Sequence, residues 1–228
     1  RFFLGDVRNE ARLRLAMGGV GTVVHAASLK IVPSGEYNPT EFIDTIIGGS
    51  ANVLSAARHA GVAKALLLST DKACAPVTLY GACKLVAERL FVAANAYGGG
   101  LVSACTRYGN IIGSRGSVVP AWREALREGR PITITDPNAT RFHMRQEQAV
   151  ELVLLALREM RGGEVFIPKL RSYSVGDLAA AVVPGAKTVL ATGLRPGEKR
   201  HEVLMSRDEL RSVRDFGDHF RIVPQIHP

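Results

Sequence analysis

Short apolar runs alternate with longer amphipathic stretches along this chain. TVVHAA at 22–27, ALLL at 65–68 and LVSACTR at 101–107 are brief and rich in Val, Leu and Ala. Runs of that length and composition read as strands buried on both faces. FFL at 2–4 reads as the end of another strand, followed by a helix through about Met17. GGVG at 18–21 precedes a strand and reads as a helix stop and turn. The stretch 39–59 carries Ile43, Ile46, Ile47, Val53 and Leu54 at helical spacing. The stretch 80–96 carries Leu85, Val86, Leu90, Phe91 and Ala94 on one side, and both predict helices. Beyond them the pattern predicts a helix at 119–128, a strand at 132–135, a helix at 146–160, a strand at 165–168 and a helix at 175–183. A polar end rich in Arg and Pro follows. Strand–helix alternation of this kind argues an α/β fold, a doubly wound parallel sheet with a small C-terminal substrate lobe. The chain turns richer in Arg, Pro and Gly after about Gly113, so the expected division is a core at 1–112 and a mixed region with the lobe at 113–228.

Composition narrows the class without changing the architecture. With 228 residues, 46% hydrophobic and 22% charged, the chain is globular and can bury a core, which excludes disorder. Lys and Arg number 29 against 21 acidic residues, a net charge of +8. The basic residues are mostly scattered arginines with no concentrated run. They suit an anionic small substrate, or solubility, rather than a nucleic acid. Cys74, Cys83 and Cys105 are too few for a disulfide framework and lack metal-ligand spacing. The expectation is a reducing compartment, the cytoplasm, and no metal centre. No apolar run reaches membrane-spanning length, and charges interrupt the N-terminus too early for a signal peptide.

One constellation carries chemistry. Ser69, Thr70, Asp71 and Lys72 end the ALLL strand, and Tyr80 with Lys84 opens the next helix at i and i+4. Residues so spaced share a helical face. An ammonium beside a phenol lowers its pKa from about 10, and a tyrosinate can take a proton from a sugar hydroxyl. Thr70 at the strand end can bond the same hydroxyl. Taken alone, Asp71 and Lys72 also read as a strand-end ion pair, and His25 as a core histidine.

GDVRN (5–9), HAASLKIVPSGEYNP (25–39), STDKACAPVTLYGACKL (69–85), TRYGNIIGSRGSVVP (106–120), ITDPNATRF (134–142), GGEVFIPKL (162–170) and RPGEKRHEVL (195–204) span nearly the whole chain. Together they resemble the extended short-chain dehydrogenase/reductases. Within that family they resemble the UDP-N-acetylglucosamine 4,6-dehydratases of surface-polysaccharide biosynthesis, most of all the inverting, pseudaminic-acid-pathway type. The resemblance implies a Rossmann-like sheet and an NADP cofactor, with NAD as the alternative. It assigns Tyr80 to C4 deprotonation during hydride loss. Lys84 would tune Tyr80 and hold the nicotinamide ribose, and Thr70 would bind the C4 oxygen. Lys72 would be the base at C5 and Asp71 the acid that expels the C6 hydroxyl. Cofactor contacts would come from Asp6, Val7, His25, Ala26, Ala27 and Lys30 as well as Tyr80 and Lys84. Asn110, Val118, Arg141 and Arg195 would hold the UDP-sugar. The intact family member would be a homo-oligomer, with neither nucleic acid nor membrane as partner.

The chain departs from the family pattern in places. The first strand, glycine-rich turn and helix of the dinucleotide-binding unit do not precede residue 1 of the given sequence, so the expected sheet lacks its first strands and holds its cofactor poorly. Ile46, Ala75 and Thr78 stand where Asn is usual, and Cys83 where Thr is common. A nucleotide-sugar 4-epimerase needs no C5/C6 acid–base pair, so the Asp71–Lys72 pair argues for the dehydratase. A non-catalytic module that binds nucleotide-sugar without cofactor is the reading from another class.

Overall fold

The computed structural model describes residues 1–114, 116–186 and 189–224. In chain order the elements are α1 (Glu10–Ala16), β1 (Thr22–His25), α2 (Val32–Tyr37), α3 (Pro39–Phe42), α4 (Gly49–His59), β2 (Lys64–Leu68), α5 (Leu79–Ala93), β3 (Val102–Thr106) and β4 (Asn110–Ile111). There follow α6 (Val118–Arg127), β5 (Ile132–Ile134), β6 (Thr140–Met144), α7 (Gln146–Glu159), β7 (Val165–Pro168), β8 (Ser172–Ser174), α8 (Val175–Val182), β9 (Val189–Ala191), β10 (Val213–Asp215) and β11 (His219–Ile222). None of the helices among the described residues is long and apolar enough to cross a membrane.

The chain forms two units. The first comprises Arg1–Tyr108, Glu151–Lys169 and Val203–Pro228, and the second Gly109–Val150 and Leu170–Glu202. The expected division at 112/113 therefore meets an interleaved arrangement, in which two later segments return to the first unit.

In the first unit six strands form one sheet in the order β1-β2-β3-β7-β11-β10. The first four run parallel, and the β10–β11 hairpin adds antiparallel strands beside β7. Alternation sorts the side chains. Leu66, Ala104 and Phe166 lie buried against Leu152 and Ala156 of α7 and Met160 just beyond it. Ala65, Leu67 and Cys105, one position along, are buried on the side where α5 packs. This two-sided burial is why these runs lack a polar alternate. The second unit holds a three-stranded sheet, β4-β6-β8, and a two-stranded one, β5-β9. Trp122, Ala125, Ile132, Ile134, Ala179 and Val183 form its core.

Several expected elements differ. Residues 2–4 form no strand, and Phe2 and Leu4 are exposed. The strand at 22–27 stops at His25. The helix expected over 39–59 is interrupted by a π-helical turn at Ile43–Gly48, an added residue in the helical ladder. β6, β8 and the C-terminal hairpin arise from short, largely polar sequence, and in β11 the buried positions are His219 and Arg221 rather than Phe220 and Ile222. These elements are held by pairing with strands already in place.

Ala75, immediately before Pro76, sits at φ +44°. That region costs a residue with a Cβ about 1–2 kcal/mol, partly regained as chain entropy when glycine replaces it. Ala75→Gly is expected to raise the calorimetric Tm by about 1–3 °C; an unchanged or lower Tm contradicts the strain.

Candidate active site

The carboxyl end of β2 is prolonged by two further bonds to the chain after β3. Ser69 N donates to Thr106 O at 2.7 Å and Asp71 N to Tyr108 O at 3.0 Å. Thr70 then caps a single 3-10 turn, Asp71–Ala73, accepting from Lys72 N at 3.3 Å. The turn presents three functional side chains in contact. Thr70 Oγ1 donates to Asp71 Oδ1 at 2.9 Å, and Lys72 Nζ reaches the same oxygen at 3.0 Å. Asp71 is wholly buried, and its Oδ2 has no hydrogen-bond partner among the described residues.

Helix α5 begins directly against this turn. Thr78 caps it by accepting from Gly81 N at 3.2 Å. A Cβ placed on Gly81 would lie 2.3 Å from the Lys72 carbonyl oxygen. Glycine alone lets the helix approach this backbone, and the approach sets Tyr80 beside the turn. Burial pushes the Tyr80 phenol up to about 12, while the nearby Lys72 ammonium and Thr70 hydroxyl pull it the other way.

Lys84, expected to tune Tyr80, turns to the end of β2 in this structure. The i,i+4 spacing fixes a shared face but not where a long side chain ends. Lys84 Nζ donates to the Leu68 carbonyl at 2.6 Å, and Lys72 is the cation that acts on Tyr80. Lys84 is buried, and desolvation brings its ammonium down to about 8.

His25 ends β1 inside the core, as its bland reading has it. Its ring stacks on Phe91 with centroids 6.0 Å apart, and Nε2 lies 3.2 Å from Ser50 Oγ. Burial, helped by the Lys84 charge, lowers its pKa to about 4. Ala26, Ala27 and Lys30 follow on an exposed loop. Asp6 is exposed and paired with Arg8 at 2.9 Å. The Val7 carbonyl accepts from Asn52 Nδ2 at 3.0 Å.

In the second unit Asn110, Val118, Arg141 and Arg195 all line one cleft of about 120 Å³. Gly109 makes Asn110 possible there, because a Cβ on it would lie 2.4 Å from Phe142 O. The Asn110 Oδ1 is buried without a protein partner among the described residues. Arg141 is fixed by Glu198 at 2.7 Å, and Glu198 also accepts from Thr135 Oγ1 at 2.9 Å and Arg195 N at 3.2 Å. Trp122, the only tryptophan, lines the same cleft. Sequence reasoning missed Trp122, Thr135 and Glu198, although Glu198 lies inside the RPGEK stretch. It also missed Glu88, whose signal was legible as the i+8 partner of Tyr80 and i+4 partner of Lys84.

Gly81→Ala is expected to displace α5 from the turn, lowering Tm and changing the near-UV signal of Tyr80; unaltered Tm and spectrum contradict the close approach. His25 stays neutral in the native state down to about pH 4, whereas the unfolded residue protonates below 6.5. The unfolded state therefore binds the extra proton between those values, and stability falls with pH through that window, by up to about 3 kcal/mol. His25→Gln is expected to flatten that slope in pH-dependent denaturant unfolding; an unchanged slope places the titration elsewhere.

The family described as polysaccharide biosynthesis protein matches residues 1–224. The chain is 47% identical over 229 residues to the UDP-N-acetylglucosamine 4,6-dehydratase (inverting) of Campylobacter jejuni, covering 99% of this chain and 68% of that protein. It is 41% identical to a UDP-glucose 4-epimerase of Rickettsia canadensis, covering 97% of this chain and 67% of the relative. A solved structure, the dTDP-glucose 4,6-dehydratase DesIV from Streptomyces venezuelae with NAD and TYD bound, superposes with a TM-score of 0.82 at 22% identity. That match covers 98% of this chain and 74% of that one, and shows the shared fold. On the breadth of the family match and the identity to these relatives, the chain belongs to the polysaccharide biosynthesis protein family.

Proposed function

We propose that the chain is a nucleotide-sugar 4,6-dehydratase acting on UDP-N-acetylglucosamine, with inversion at C5, in glycan sugar biosynthesis. The observation that carries this reading is the Asp71–Lys72 contact at 3.0 Å beside the buried Tyr80 and Thr70. The 47% identity to a protein of that activity supports it. The cleft of the second unit takes the nucleoside diphosphate: Arg195 offers a planar fork to phosphate oxygens, and Asn110, Arg141 and Val118 complete the walls.

A nicotinamide dinucleotide fits the carboxyl ends of parallel β1 and β2, where exposed Ala26 and Ala27 end at Cβ and leave room. DesIV, with the same fold, was crystallised with NAD. For this chain we propose NADP, with Asp6 and Val7 toward the adenine, Lys30 on the lining loop and Lys84 on the nicotinamide ribose. When bound, the cofactor would supply a hydride acceptor, and later a hydride donor, to the sugar. The three buried free cysteines fit a reducing compartment, the cytoplasm.

The protein's own residues manage the protons. Thr70 bonds the C4 oxygen, and Tyr80 takes the C4 hydroxyl proton once the charge of Lys72 favours its ionised form. The carbonyl formed at C4 acidifies C5. Lys72 as amine removes the C5 proton, and Asp71 as carboxylic acid protonates the departing C6 hydroxyl. The resting ion pair and this amine–acid pair differ by one proton moved across their 3.0 Å contact, so elimination leaves the pair's proton count unchanged.

A 4-epimerase is the second reading, favoured by the 41% identity to the Rickettsia protein. Mass spectrometry of UDP-N-acetylglucosamine incubated with the chain and NADP, or NAD, distinguishes them. The expected product has lost one water, and Tyr80→Phe lowers its formation at least about 10²-fold. A product of unchanged mass favours the epimerase. Quenching of Trp122 fluorescence by UDP-sugar with no turnover favours a binding module.

A further inference from the structure

The first unit contains a buried run of charges that the proton chemistry above does not use. Glu88 lies one turn beyond Lys84 on α5 and is buried. It accepts from Ser69 Oγ at 2.5 Å, from Arg107 Nε at 3.1 Å and from Arg107 Nη2 at 2.6 Å. Arg107 follows β3 and is 1% exposed. Its other edge meets Glu209 through two bonds, of 3.0 and 2.9 Å, and Nη1 also donates to Leu204 O at 3.0 Å. Glu209 further accepts from Ser206 N at 2.8 Å and from Cys74 Sγ at 3.7 Å.

Each partner is an immediate neighbour of a site residue. Ser69 precedes Thr70, and Cys74 ends the turn that carries Asp71 and Lys72. Glu88 shares the Tyr80–Lys84 face of α5. The backbone on either side of Arg107 holds the turn as well, through Thr106 O to Ser69 N and Tyr108 O to Asp71 N. The guanidinium thus ties both site-bearing elements to one point. A buried cation needs such complete pairing, and its rigid fork makes two carboxylates commit to fixed positions.

We propose that Arg107, with Glu209 as its second anchor, is a positioning residue that holds the Thr70–Lys72 turn in register with Tyr80 and Lys84, so that the segment 204–209 forms part of the active-site support. Its kinetic consequence rests on the dehydratase reading; its conformational one does not. Arg107 touches no reacting atom, and its effect passes through Ser69, Cys74 and Glu88.

Hydrogen exchange followed by mass spectrometry of Arg107→Lys and Glu209→Gln tests this. Glu209→Gln leaves the Arg107–Glu88 pair in place and is the milder change. Both variants are expected to speed exchange at 69–74 at least about tenfold while β1 and β7 keep wild-type protection. UDP affinity, read by Trp122 fluorescence, is expected to stay within about twofold, and kcat for water loss to fall about tenfold or more with KM little changed. Unaltered exchange at 69–74 overturns the proposal, as does faster exchange spread over the whole first unit. Local loosening of the turn in a protein whose wild type eliminates no water upholds the positioning and sinks the dehydratase reading instead.

Discussion

The geometry of the site depends on how closely the start of α5 approaches the turn that follows β2. With no Cβ on Gly81, the helix backbone can lie where a side chain would strike the Lys72 carbonyl. That approach sets a phenol, a hydroxyl, a carboxylate and an ammonium side by side in a largely dry environment. Dryness has two consequences. It raises the Tyr80 phenol to about 12 and lowers the Lys84 ammonium to about 8, so both neutral forms gain. It also makes each remaining charge influential, which is why Lys72, only partly buried, acts on the phenol.

Much of this was legible in the sequence, for reasons that differ by residue. The strands β2, β3 and β7 are buried on both faces, so a run such as ALLL announces them, whereas TVVHAA, read the same way, forms the largely exposed edge strand β1. The Tyr80–Lys84 spacing named a helical face correctly, but the destination of Lys84 depended on a strand-end carbonyl, Leu68 O, that spacing does not contain. The hairpin β10–β11 was hidden because its sequence is charged. Arg221, for example, is buried beneath Phe216 and Phe166 through cation–π contacts. A buried arginine with aromatic partners looks like surface in any one-dimensional reading. Arg107 was hidden for the same reason, its two carboxylate partners lying 19 and 102 positions away.

The two units divide the work by chemistry. The first offers titratable groups packed at the carboxyl end of a parallel sheet. The second offers a cleft in which apolar Val118 and Trp122 stand with Asn110, Arg141 and Glu198. Residues far apart in sequence, 110, 118, 141 and 195, meet there as β4 pairs with β6 and the second unit packs around its own apolar core. The family resemblance, not hydrophobic periodicity, drew these four residues together.

The central claim is that Lys72 and Asp71 act on the same hexose whose C4 hydroxyl Tyr80 deprotonates. Proton NMR of the product formed in deuterium oxide tests it most directly. The account predicts deuterium at C5 of a 4-keto-6-deoxy sugar with wild-type protein, and its formation at least about 10²-fold slower with Lys72→Ala. Product that retains its original C5 hydrogen, or a Lys72→Ala protein that labels C5 at the wild-type rate, would contradict it.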